Sequence, residues 1–139
     1  SGKASLAPSS ADTAWGVLFE IAKAEQGFLD AAEGKGYDRI NDFSVSNAND
    51  KSTVCATYIA NEPEAGLHPY DWYLALIVAG ADEHRLDADY RSALKTIQHR
   101  LDQRPSCTYR AAALDALKAA GYRDAAHAFG ASFNANGPV

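Results

Sequence analysis

Glu33 stands in the stretch LDAAEGKGY, residues 29–37, as a lone carboxylate where an amphipathic helix gives way to two glycines. A single glutamate can serve as general base and then general acid when burial among apolar or aromatic groups raises its pKa toward neutrality. Ala31, Ala32, Gly34 and Gly36 leave room beside it for a ligand, and Tyr37 is an aromatic neighbour in the sequence. The same pattern also describes a solvated carboxylate in the last turn of a helix. On local sequence alone the solvated carboxylate is the favoured reading, with the acid–base role as the alternative.

Little else in the chain competes as chemistry. His68, His84, His99 and His127 lack metal-ligand spacing, and no C-x-x-C occurs. His84, beside Asp82 and Glu83, reads as a polar helix C-terminus. Cys55 falls within a strand and reads as a small core residue; with Cys107 it makes two reduced, partly buried thiols. The P-loop, the G-x-S-x-G elbow and the G-x-G-x-x-G turn are all missing. The residues therefore point away from metal and covalent catalysis.

Several elements must position Glu33. TAWGVLFEI, residues 13–21, alternates Trp15, Val17, Phe19 and Ile21 on one face and reads as a well-buried strand. Residues 23–32 read as a short helix ended by Gly34 and Gly36. From Tyr37 to Val45 the pattern is strand-like, but Ile40, Phe43 and Val45 do not alternate cleanly, which predicts a bulge. The turn formers of NANDK, residues 47–51, lead into a partner strand over 52–60, a hairpin.

After Pro63 the pattern becomes helical. Pro69 suits a first helical position, with Tyr73, Leu76, Ile77 and Gly80 on one side of the helix. Asp87 caps a second helix whose stripe is Tyr90, Leu94, Ile97 and Leu101. A third runs from about Thr108 to Ala120, with Leu114 and Leu117 inward and Gly121 as its stop. The end, NANGPV, is expected to be disordered. Strands early and helices late predict an α+β domain.

The 139 residues suit one domain, and 47% apolar with 22% charged residues is ordinary for a globular chain. A net charge of −5 without Lys or Arg clusters argues against a nucleic acid or an anionic membrane as partner. The longest apolar run, from Trp72 to Ala81, is far too short to span a bilayer.

Three stretches together resemble the γ-glutamylcyclotransferase family. They are WGVLFEI at 15–21, LDAAEGKGY at 29–37, and HPYDWYLALIVAGADEHRLDADY at 68–90. The family's late signature falls on Pro69, Tyr73, Gly80, Ala81, Glu83, Leu86 and Tyr90, with its spacing kept. The resemblance implies a mixed α/β fold with flanking helices around a small, curved, barrel-like sheet. It places the family domain over residues 1–104 and a packed C-terminal helical extension over 105–139. It also implies a reaction without metal or cofactor: a γ-glutamyl amine attacks its own γ-carbonyl, releasing 5-oxoproline and a free amine. Glu33 would be the acid–base group, with Tyr37, Tyr73 and Gly34 at the substrate. Tyr73 has an equal alternative as a core aromatic, and Gly34 would serve through its backbone. Gly80 and Ala81 would permit close helix–sheet packing.

The sequence departs from the family at its start. Members open with a strand and a Y-G-S-N-like loop whose amides hold the γ-glutamyl group, and no such loop occurs here. Nor does the chain contain any Met. The expectation is a chain truncated by roughly a strand–loop–strand unit, whose exposed sheet edge favours a homodimer. Cytoplasm is the default compartment. The alternative is a catalytically silent domain of the same fold that serves as a binding or interaction module.

Overall fold

The computed structural model describes residues 2–131. They divide into two compact units. A helical unit comprises the residues up to Ala4, Asp12–Val17 and everything from Gly66 onward, and a hairpin unit comprises Ser5–Ala11 and Leu18–Ala65.

The helical unit contains α2 (Asp71–Glu83), α3 (Ala88–Lys95), α4 (Thr108–Ala119) and α5 (Ala125–Ala131). Helix α2 is its centre because both of its faces are apolar. Ala75 and Ala79 pack with Leu117 of α4 and with Ala125 and Ala128 of α5. Leu74, Val78 and Ala81 pack with Leu94 of α3. Leu74 and Leu117 keep only 2% and 1% of their surfaces exposed. The most buried positions therefore sit beside the expected stripe of Tyr73, Leu76, Ile77 and Gly80, which is half-buried. A helix covered on both sides has no single buried stripe for periodicity to find.

The ends of these helices follow from local chemistry. Asp87 accepts a hydrogen bond from Tyr90 N at 3.0 Å and caps α3. Thr96 turns its hydroxyl onto Ala93 O at 2.7 Å, and α3 stops at Lys95. Ile97 and Leu101 therefore lie beyond the helix, Leu101 with 69% exposure, rather than extending its stripe. Helix α2 begins at Asp71, after Tyr70 rather than at Pro69, because Tyr70 is bridged to Arg100. Gly121 follows α4 at φ +97°, as a helix stop requires. Gly80 is not a close-packing position: a Cβ there would meet nothing within 4 Å. Helix α5 was not legible in the sequence. The expected disordered tail lies outside the described residues.

In the hairpin unit, a 3-10 turn (Lys23–Glu25) runs into α1 (Gln26–Glu33), followed by β1 (Tyr37–Ser46) and β2 (Ser52–Ala60). Asn47 closes the hairpin: its side-chain oxygen accepts from Asn49 N at 2.9 Å and Lys51 N at 3.0 Å. The strands are antiparallel, and the expected bulge falls between Ile40 and Phe43. Asn41 and Asp42 share one position opposite Ala56.

The architecture is α+β, as the sequence implied, but two expectations about the sheet fail. Among the described residues the sheet is a two-stranded ribbon, not a curved barrel. Residues 13–21 form no strand and are not buried; Phe19 is 68% exposed. Alternation prepares a segment for a sheet, but a strand also needs a partner for its backbone groups. Among the described residues β1 and β2 pair only with one another.

Candidate functional site

Glu33 is the last residue of α1 and is half-buried. Gly34 follows with φ 75° and ψ −170°, a conformation open essentially only to glycine, and its N–H closes the helix on Asp30 O at 3.1 Å. The turn is then stitched to the end of β2. Asn61 N donates to Gly36 O at 3.0 Å, and the Asn61 side-chain amide donates to Lys35 O at 2.8 Å and Asp38 Oδ1 at 3.3 Å. Among the described residues no hydrogen bond or ion pair holds the Glu33 carboxylate.

One turn earlier on α1 stands Asp30. Its Oδ1 accepts from the Tyr58 hydroxyl on β2 at 2.5 Å, and its Oδ2 accepts from Arg39 Nη1 on β1, also at 2.5 Å. Arg39 and Tyr58 sit directly opposite each other in the ladder, and Arg39 Nε also donates to Asn41 Oδ1 at 3.0 Å. The bulge makes this pairing. Carrying the register from Ser46 opposite Ser52 straight along the ribbon would set Arg39 against Ile59 and turn Tyr58 to the other face. The Tyr58 hydrogen bond, followed by Arg39, holds the Asp30 carboxyl below its usual range against the opposing effect of burial. The same hydrogen bond to Asp30, helped by burial, pushes the Tyr58 phenol up.

Glu33, Gly34 and Tyr37 thus share one turn. Tyr37, half-buried, opens β1 opposite Ala60. Tyr73 belongs to the helical unit, where its hydroxyl accepts from Ala4 N at 3.0 Å and its ring meets Trp72 edge-on. Sequence reasoning missed Asp30, Arg39 and Tyr58. The signal available was an acidic residue three positions before Glu33, on the same helical face.

A second polar cluster lies in the helical unit. Asp102 accepts from Trp72 Nε1 at 2.8 Å and pairs with Arg104 at 2.6 and 2.8 Å. The Arg104 hydrogen bonds, then that of Trp72, hold the Asp102 carboxyl far below the usual range. Arg100 and Arg104 both lie over the Tyr70 ring, which stacks with Trp72. Both carboxylate oxygens of Asp102 are spent on this bracing, so the cluster reads as structural. Cys55 and Cys107 are free and half-buried. Among the described residues no group of three or more His, Cys, Asp or Glu could hold a metal ion, and no helix is long and apolar enough to cross a membrane.

Residues 13–94 match the AIG2-like family. The chain is 30% identical over 99 residues to a γ-glutamylcyclotransferase of Mus musculus, covering 70% of this chain and 52% of that protein. It is 29% identical over 99 residues to a γ-glutamylcyclotransferase of Homo sapiens, with the same coverage. The chain therefore spans about half the length of the curated relatives it matches. No solved structure matches it.

Proposed function

The chain belongs to the AIG2-like family, and on that premise we propose that it is a γ-glutamylcyclotransferase-like enzyme with Glu33 as its acid–base group. The observation that carries this reading is Glu33 itself: a half-buried carboxylate, unpaired among the described residues, on the lip of a turn that requires glycine. The names of the mouse and human relatives support the reaction class.

In the proposed reaction the α-amino nitrogen of a γ-glutamyl group bonds to its own γ-carbonyl carbon, closing a five-membered ring. The bond from that carbon to the amide nitrogen then breaks. Glu33 takes the proton shed by the attacking nitrogen and delivers it to the departing one, so the carboxylate ends as it began. Nucleophile and electrophile are already tethered, which leaves folding the substrate and carrying the proton as the protein's tasks. An unpaired carboxylate suits this, because a partner that held it ionised would oppose proton uptake. Tyr37, at the far end of the glycine turn, is a candidate wall for the γ-glutamyl group. Tyr73 is carried with it as a second candidate, although its hydroxyl bond to Ala4 equally fits a structural role.

One observation favours the second reading, a catalytically silent domain used for binding. Among the described residues, every buried one belongs to the helical unit and none to the hairpin unit that carries Glu33. Product analysis separates the two. The full-length protein is incubated with γ-glutamyl dipeptides and γ-glutamyl amines, and 5-oxoproline and glutamate are both quantified. Release of 5-oxoproline with equimolar amine supports cyclotransfer; glutamate instead would mean hydrolysis, and no turnover across the panel would favour the silent reading.

A further inference from the structure

We propose that Asp30 is a positioning residue for Glu33, clamping the last turn of α1 to both strands of the hairpin at a single rung; this rests on the acid–base reading above. Helix α1 has eight residues, none buried, and its N-cap makes no side-chain hydrogen bond. An isolated helix of that length is far below what persists in water. Apolar packing does not fix its rotation either: Phe28 is 79% exposed and Leu29 is exposed as well.

Asp30 supplies what packing does not. Its two oxygens reach two strands, Tyr58 on β2 and Arg39 on β1, and those two residues are opposite one another in the ladder. One carboxylate therefore ties three elements at one point. Arg39 is itself steadied by Asn41, a bulge residue. Glu33 follows Asp30 by three positions and so shares its face of the helix. Because nothing among the described residues holds the Glu33 carboxylate directly, rotation of α1 about its axis would carry it away from a bound substrate. Misplacement of a reacting group by about 1 Å can cost about 100-fold in rate. The Tyr58 hydrogen bond, joined by the Arg39 ion pair, favours ionised Asp30, and the same hydrogen bond favours protonated Tyr58 against the opposing pull of Arg39; these are the states the clamp needs.

The test compares the full-length parent with Asp30→Ala, Asp30→Asn, Tyr58→Phe and the double variant Asp30→Ala/Tyr58→Phe, scoring kcat and KM for 5-oxoproline release. Asp30→Ala is expected to lower kcat by about 10- to 100-fold, with a smaller change in KM. Asp30→Asn, which still accepts from Tyr58, should retain more activity than Asp30→Ala. The double variant should be no worse than Asp30→Ala alone, because both changes break one clamp. Absorbance titration at 295 nm, taken as the parent minus Tyr58→Phe, reads the clamp without turnover. The Tyr58 hydroxyl should titrate above the ordinary phenol range in the parent and return to it in Asp30→Ala. An unchanged kcat in Asp30→Ala, or independent additive losses, would overturn the positioning role while leaving the reaction assignment intact. A parent that shows the raised Tyr58 titration but releases no 5-oxoproline would instead sink the reaction assignment, and this role with it.

Discussion

Leu117 in the helical unit and Asp30 in the hairpin unit each tie helices or strands together, and they do so by opposite physics. Leu117 is buried with alanines from α2 and α5, and its contribution is the removal of apolar surface from water. Asp30 is part-exposed and works through a directed hydrogen bond and an ion pair. Apolar burial is strong and tolerant of direction; a carboxylate clamp is weaker but fixes orientation. The difference matters because the carboxylate assigned to chemistry stands on the unit without a buried core. A two-stranded ribbon is at best marginal alone. The helical unit supplies durable structure, and the hairpin unit carries a site whose geometry rests on a few polar contacts.

The contrast makes its largest prediction in the helical unit. Leu117→Ala should cost about 2–5 kcal/mol, read as a lower urea midpoint by helical circular dichroism. A cost under about 1 kcal/mol would mean the α2–α4–α5 cluster is not the principal core. Asp87→Ala should cost about 1 kcal/mol in the same assay through loss of the α3 cap, and Asp87→Asn should restore most of it.

Acid and alkali sharpen the comparison from the other side. Asp30 is held below its ordinary pKa, so its contribution is complete above the carboxylate range and is lost as pH falls through the depressed value. Tyr58 is held above its ordinary value, so its contribution is complete below the phenol range and is lost as pH rises through the elevated one. Amide exchange in α1 and β2 should therefore accelerate at both extremes, corrected for intrinsic rates. Amides of α2 facing Leu117 should keep their protection over the same span; loss in parallel would erase the contrast. The smallest effect is expected at Phe28, where replacement by Ser should change stability by no more than about 0.5 kcal/mol. A larger cost would reveal that something covers this side chain.

Much of the hairpin unit was legible in the sequence because its signals are local. The Asn47 turn, the break in alternation after Ile40 and the glycine stop after Glu33 each act within a few residues. So does the Asp87 cap in the helical unit. What the sequence misjudged depends on distant partners. Residues 13–21 alternate like a strand, yet pairing decides whether a strand exists. The stripe on α2 was displaced because α3 covers one side of that helix and α4 and α5 cover another. The Asp30 clamp was hidden for a third reason. Its partners come to the same face only through the one-residue shift of the bulge, so predicting a bulge near Ile40 was not enough without its exact register.

The measurement that bears most directly on the central claim is the rate of 5-oxoproline release by Glu33→Gln beside the parent, with matching circular dichroism spectra. Gln keeps the size and the hydrogen-bonding reach of the side chain but cannot accept and return the proton. With Glu33 as the acid–base group, release should fall by about 100-fold or more. Equal rates in the two proteins would contradict that role and leave Glu33 an ordinary carboxylate at the end of a helix.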